Sequence, residues 1–328
     1  MRLAIEHSFG FEYDGYISES FLELRVQPKT TPTQTLLSFS LAVGPRTRVY
    51  RYVDWNDNVT HHFTITKFHD RIEVTATSLV ETRSEPVPLA DLGGPARETE
   101  LPYPLLDFLA FDGPVRLTPA LRASHAALGV PREAALGAQI TAMGSALRQR
   151  FEYQKDVTRY DSTTEDFLDL RKGVCQDFAH LMLGWLRLSG IPCRYVSGYL
   201  HVDRKKREAA QSHAWVEFHA PALGWVAFDP THDRPVDERY VVVGHGRHYD
   251  DVPPNKGIYR GAARETLTAE VDTRSIAGGA IPRAADEVRT IDLRTYAAAP
   301  ARRSGPAAGS AAAMSAAADE QAEQQQQQ

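Results

Sequence analysis

Cysteine is nearly absent from this chain: Cys175 and Cys193 are the two among 328 residues, so no disulfide framework staples the fold. A reducing cytoplasm is the simplest home for such a chain. Long apolar runs are also missing, and none approaches the roughly 20 residues that span a bilayer. The opening Met1-Arg-Leu-Ala-Ile-Glu-His-Ser-Phe-Gly10 lacks the apolar core and cleavage site of a signal peptide. Excess charge is small, with 37 Lys and Arg against 42 Asp and Glu for a formal net of -5, which gives no global electrostatic case for nucleic acid or an anionic membrane as partner. No acidic, glycine-turned calcium loop occurs, and no cofactor or metal is expected. What remains, 42% hydrophobic and 24% charged residues, is ordinary for a globular protein of about two domains.

The first part reads as strands. Leu22, Leu24 and Val26 alternate with polar residues, as do Leu37, Phe39, Leu41 and Val43, then Val59, His61, Phe63 and Ile65, then Ile72, Val74 and Ala76. Short alternating runs at this spacing predict a β-sandwich-like antiparallel domain over residues 1–85. A Pro- and Gly-rich linker follows over 86–120. The region 121–272 places helices before strands, an α+β order shared with papain-like folds. Its second helical pattern puts Leu136, Ile140, Met143, Leu147 and Phe151 on one face. Ser162-Thr-Thr-Glu165 reads as a capping box for a short helix through Leu170 that Gly173 closes. From 273 to 328, Ala, Arg, Gly, Pro and finally Gln dominate, a composition that predicts disorder.

The most informative segment is Arg171-Lys-Gly-Val-Cys175-Gln-Asp-Phe-Ala-His180. Phe178, Leu181, Met182, Trp185 and Leu188 recur at helical steps after it, and Gly190 and Pro192 stop the helix. Cys175 therefore falls in a first helical turn, where unpaired amide N–H groups and the helix dipole favour an anion such as the reactive thiolate. A buried, inert cysteine is the alternative for one such residue taken alone. Downstream, Gln211–Phe218 and Gly224–Asp229 alternate as strands around a turn at Pro221 and Gly224, the pattern of an antiparallel hairpin. A loop centred near Pro221 sets His213 and Asp229 opposite each other. A base near the thiol and a carboxylate to orient the imidazole are what a cysteine hydrolase requires. A structural His opposite a structural Asp is the reading each residue favours alone; with Cys175 the catalytic reading prevails.

Other residues carry weaker signals. His61 and His62 are adjacent in a strand, so they point to opposite faces and a shared metal is not expected. His245 and His248 with Asp250 and Asp251 read first as loop chemistry and second as a metal site. The basic run Arg204-Lys-Lys-Arg207 reads as a solvated loop, with attraction of an acidic substrate as its functional alternative. Cys193 reads as core, as do Trp215 and Trp225 beside the strand ends. Tyr153 is a candidate second oxyanion donor beside the Cys175 backbone N–H.

The segments Gly173-Val-Cys-Gln-Asp-Phe-Ala-His180, Ser212-His-Ala-Trp-Val-Glu217 and Gly224-Trp-Val-Ala-Phe-Asp-Pro-Thr231 resemble the transglutaminase-like core of bacterial cysteine proteases. Gly190-Ile-Pro-Cys-Arg-Tyr-Val-Ser-Gly-Tyr-Leu200, Gly246–Pro254 and Gly257–Gly261 match the same family. Cys193 and His248 depart from it, at positions where a small residue and an Asp are usual. The resemblance implies a papain-like catalytic core preceded by a bacterial transglutaminase-like N-terminal region. It also implies Cys175 as nucleophile, His213 as general base and acid, and Asp229 as orienting carboxylate. Implied partners are a peptide or protein substrate and, by association of relatives, ATP-grasp-type peptide ligases. The resemblance favours hydrolysis of a peptide or isopeptide bond; transamidation, and a non-catalytic peptide-binding or scaffold role, are the alternatives.

Overall fold

The computed structural model describes residues 1–83, 85–94, 101–131, 133–202, 211–221, 223–276 and 286–298. The basic run at 204–207 lies outside them, as do 277–285 and the end of the chain from 299. Two compact units emerge. One comprises Met1–Thr82, Leu200–Gln211 and Pro253–Gln328; the other comprises Arg83–Tyr199 and Ser212–Val252.

The first unit is built of strands β1 (Arg2–Ile17), β2 (Glu19–Leu24), β3 (Gln34–Gly44), β4 (Val49–Val53), β5 (Val59–Ile65) and β6 (His69–Thr82). Their alternation buries one face: Phe9, Phe11, Leu22, Leu24, Phe39, Leu41, Phe63, Ile72 and Val74 from two different sheets share one apolar cluster. Strands from the far end of the chain complete both sheets. In the second unit, strands β7 (Glu152–Tyr153), β8 (Lys172–Gly173), β9 (Cys193–Leu200), β10 (Gln211–Ala220), β11 (Gly224–Asp229), β12 (Arg234–Pro235) and β13 (Tyr240–Gly246) intervene before β14 (Asn255–Arg260), β15 (Glu265–Ser275) and β16 (Asp286–Thr290) return to the first. One sheet has the order β15-β1-β6-β3-β16, the other β14-β2-β5-β4.

This division differs from the contiguous segments 1–85 and 121–272. Strand β1 would expose a long unpaired edge, an aggregation hazard, and β15 covers it in continuous antiparallel register from Leu3↔Ser275 to Tyr13↔Glu265. Nor is the unit purely antiparallel, because β16 pairs parallel with β3. That strand lies inside the stretch whose composition predicts disorder. Its side chains are exposed throughout, and it is held by the backbone, with Ile291 N–H donating to the Val43 carbonyl at 2.9 Å and Phe68 and Tyr296 exchanging two hydrogen bonds. Compositional reasoning weighs what side chains can bury, whereas pairing at a sheet edge needs only backbone groups.

The second unit packs helices on the sheet β12-β11-β10-β9-β13. The helices are α1 (Tyr103–Leu106), α2 (Pro119–Ala126), α3 (Leu136–Arg150), α4 (Thr164–Leu170) and α5 (Cys175–Leu188). Helix α5 is buried from Gln176 to Arg187, its polar side chains included, as befits a central core helix. Phe178, Leu181, Met182 and Trp185 join Val216, Phe218 and Phe228 of the sheet and Ile140, Met143 and Leu147 of α3 in one core. Gly190, at φ +75°, lets the chain leave α5 in the left-handed conformation that glycine tolerates best.

Helix α4 ends at Leu170 as expected, but its caps are different residues. Its cap is Thr163, whose hydroxyl accepts from Asp166 N–H while the Asp166 carboxylate accepts from Thr163 N–H at 2.7 Å. It closes at Arg171 in the left-handed region, φ +55°, two residues before Gly173. Gly173 serves another end: a Cβ there would lie 2.4 Å from Asp177 Oδ2.

Candidate active site

Cys175 opens α5 and is only partly exposed. Val174 before it is extended, with φ -109° and ψ 179°, and its N–H donates to the Asp177 carboxylate at 2.7 Å. Asp177 also accepts from the Thr158 hydroxyl at 2.7 Å, so the first turn is pinned from two sides. The short strands β7 and β8 add a third hold. They run parallel with Tyr153 level with Gly173, and Gln154 N–H donates to the Gly173 carbonyl at 2.9 Å. Burial pushes the Asp177 carboxyl up to about 6, against the hydrogen bonds from Thr158 and Val174.

The hairpin β10–β11 supplies the other two groups. Its register pairs Val216 with Phe228 and Ala220 with Gly224, so the turn is centred one residue beyond Pro221. Continued outward, that register levels Asp229 with Trp215 rather than with His213. Residues 213 and 215 share a face of the strand, and the contact that forms is diagonal, within reach of a ring. His213 Nε2 meets Asp229 Oδ2 at 2.8 Å. Trp215, wholly buried, stacks on the His213 ring at 6.2 Å between centroids and meets Tyr240 edge-on at 5.3 Å.

Asp229 is fully buried and heavily solvated by the protein. Its Oδ2 accepts from His213, from His232 Nδ1 at 2.7 Å and from the Tyr240 hydroxyl at 2.6 Å. Its Oδ1 accepts from the backbone N–H of Thr231 at 2.9 Å and of His232 at 3.2 Å. Burial opposes its ionisation, but the His213 charge and hydrogen bond, followed by those of His232, hold it far below the usual carboxylate range. An ionised carboxylate only accepts, so His213 Nε2 and His232 Nδ1 must both carry the hydrogen. In the neutral ring that leaves His213 Nδ1 as the acceptor, the tautomer a thiol base needs. Burial alone would depress the His213 imidazole; the Asp229 charge and hydrogen bond, then those of Cys175, raise it above its ordinary value. His213 is thus hydrogen-bonded to Asp229 and feels the charge of Cys175.

His232 and Tyr240 escaped the sequence reading. The spacing Asp229-Pro-Thr-His232 held a signal for the first, because an Asp commonly accepts from N–H groups two and three residues on. Nothing local marks Tyr240, which reaches Asp229 from β13. His213, Asp229 and His232 are of metal-ligating types, with ligand atoms within 4.8 Å of one another. Both ring nitrogens, however, converge on Asp229 Oδ2 itself at hydrogen-bond distances, and that oxygen is fixed further by Tyr240. The distances are those of a shared hydrogen-bond acceptor.

The remaining candidates scatter. His61 is buried against Phe39 at 5.2 Å, while His62 stacks on Tyr50 across the other face. His245 lies 3.4 Å from Glu217, His248 lies 3.4 Å from Asp112, and Asp251 is engaged by Arg247 at 3.0 Å. His248 also lies 3.6 Å from Asp250, while His245 belongs to β13 and turns to Glu217 instead. Cys193 is fully buried, and burial pushes its thiol up to about 11. Trp225 is capped by Arg194 at 4.2 Å and packs edge-on against Phe108 at 5.1 Å. Tyr153 is 43% exposed; burial, then the charges of Cys175, Asp177 and Asp229, raises its hydroxyl above the ordinary value. It therefore stands within electrostatic reach of the thiol. Among the described residues, no helix is long and apolar enough to cross a membrane.

Residues 127–230 match the transglutaminase-like superfamily, and residues 3–81 match the bacterial transglutaminase-like N-terminal region. Protein ML0607 of Mycobacterium leprae is 35% identical over 287 residues, covering 84% of this chain and 99% of that protein. Rv2569c of Mycobacterium tuberculosis H37Rv is 29% identical over 299 residues, covering 85% and 95%. A protein-glutamine gamma-glutamyltransferase of Pseudomonas aeruginosa is 30% identical over 158 residues, only 40% of this chain and 24% of that protein. Among solved structures, one from Cytophaga hutchinsonii, provisionally named a cysteine protease, superposes with a TM-score of 0.73 at 20% identity, covering 87% of this chain and 94% of that one. The chain belongs to the transglutaminase-like superfamily, with a bacterial transglutaminase-like N-terminal region ahead of its papain-like core.

Proposed function

We propose that the protein is a cysteine-dependent acyl-transfer enzyme that hydrolyses an amide bond of a peptide or protein in a reducing cytoplasm. The observation that carries this is the His213–Asp229 hydrogen bond beside Cys175, in which the neutral tautomer fixed by Asp229 leaves a basic nitrogen for the thiol. In the first step His213 Nδ1 takes the Cys175 proton and the sulfur attacks the carbonyl carbon. The tetrahedral oxyanion is received by the Cys175 backbone N–H, which lies among the amides without a helical acceptor, and by the Tyr153 hydroxyl. Collapse breaks the C–N bond, and His213 returns the proton to the departing amine. Water then attacks the thioester while His213 takes its proton, and the acid is released with the thiol restored.

Transamidation is the second reading, favoured by the partial match to the Pseudomonas glutamyltransferase; an amine then replaces water in the second half. The test is the iodoacetamide labelling rate of each cysteine, read by mass spectrometry in wild type and His213→Ala. Cys175 is expected to react on the order of a hundredfold faster than buried Cys193, with the advantage lost in the variant. Equal, slow labelling of both thiols, unchanged by the substitution, would refute the enzymatic reading and favour a binding module.

A further inference from the structure

The orienting carboxylate serves two histidines. His213 Nε2 and His232 Nδ1 lie 2.8 Å and 2.7 Å from the same oxygen of Asp229, and their ring centroids are 5.4 Å apart. The two rings differ in access: 7% of the His213 side chain is exposed, against 42% for His232. A proton can therefore reach His232 directly from solvent at its second nitrogen, while its first stays on Asp229. Neutral His232 donates one of three hydrogen bonds that fix Asp229 Oδ2. Protonated His232 would place a second cation on the carboxylate that must stabilise the His213 imidazolium. Like charges this close, one of them buried, repel appreciably.

We propose that His232 is a positioning residue acting through Asp229, which supports the catalytic imidazole when neutral and withdraws that support when protonated. The inference rests on the thiol–imidazole reading above. The other charged and titratable groups around the pair belong to several elements. Tyr240 from β13 donates to Asp229, and Arg234 from β12 donates to the Tyr240 hydroxyl at 3.0 Å. Cys175 from α5 acts on His213, and Tyr153 from β7 feels Cys175 and Asp229. Asp233 follows His232 in the chain and is raised by burial against the charge of Arg148 on α3. Among these groups, His232 combines direct contact with Asp229, wide exposure and a ring nitrogen that can take up a proton.

The test follows iodoacetamide labelling of Cys175 in the full chain across pH, comparing wild type, His232→Ala and His232→Asn. The Asn amide can place an N–H where Nδ1 stands but carries no proton-dependent charge. Near pH 8, Ala is expected to slow labelling about fivefold and Asn to restore most of that loss. Near pH 5, labelling of the Asn variant relative to its own alkaline plateau should exceed that of wild type by roughly fivefold to tenfold. Scaled pH profiles that superimpose for all three proteins would overturn the proposal, as would an Asn variant as slow as Ala throughout. A wild-type Cys175 no faster than Cys193 and indifferent to His213→Ala would overturn the triad itself, so the two failures are distinguishable.

Discussion

Replacing Asp177 by Asn should stabilise the protein at neutral pH and leave it nearly unchanged in mild acid. Asp177 is 2% exposed, and burial raises its carboxyl to about 6 even though Thr158 and Val174 donate to it. An ordinary Asp titrates near about 4. The folded chain therefore holds that proton about a hundredfold more tightly than the unfolded chain. Ionising the group in place costs about 3 kcal/mol. Because the folded value is the higher one, its contribution to stability is fully present below about pH 4 and is lost as pH rises through about 6. Asn keeps an acceptor oxygen for both donors and never ionises. Exchanging the second oxygen for an amide nitrogen costs about 1 kcal/mol, which leaves a net gain near 2 kcal/mol above about pH 7. Urea unfolding of both proteins near pH 4.5 and pH 7.5 measures the difference, in which the other carboxylates cancel. A difference independent of pH, or a variant less stable than wild type near pH 7.5, would refute the reasoning.

Asp229→Asn should preserve the fold yet release His213 into the wrong tautomer, lowering the Cys175 labelling rate by at least about a hundredfold; a rate within twofold of wild type would contradict the assigned tautomer. Glu217→Ala should destabilise by about 3 kcal/mol in urea unfolding, because Arg194 donates to Glu217 at 2.7 Å and buried His245 lies 3.4 Å away, so the change strips the Arg of its buried counter-ion. Gly198→Ala should cost about 2 kcal/mol or more by the same assay, since its Cβ would lie 2.1 Å from the Val241 carbonyl oxygen and 2.5 Å from the Trp215 ring. The Trp215 ring also stacks on His213, so that variant should slow Cys175 labelling as well.

The amino-acid sequence by itself determined what is local. The apolar steps from Phe178 to Trp185 define α5 and put Cys175 at its start, and the alternation around Val216 and Phe228 defines the hairpin that carries His213 and Asp229. Such features repeat every two or 3.6 residues, so neighbours in the chain suffice to reveal them. Where a helix stops or a hairpin turns is less strongly encoded, and there the structure moved the α4 cap to Thr163 and the hairpin centre by one residue. Tertiary structure alone decided which distant groups share an oxygen, a proton or a sheet edge. It brought Tyr240 onto Asp229, tied Thr158 to Asp177, and carried β14, β15 and β16 back to the N-terminal strands. The physical reason is that buried polar groups and open strand edges must be satisfied, while the partner that satisfies them is chosen by packing across the whole chain.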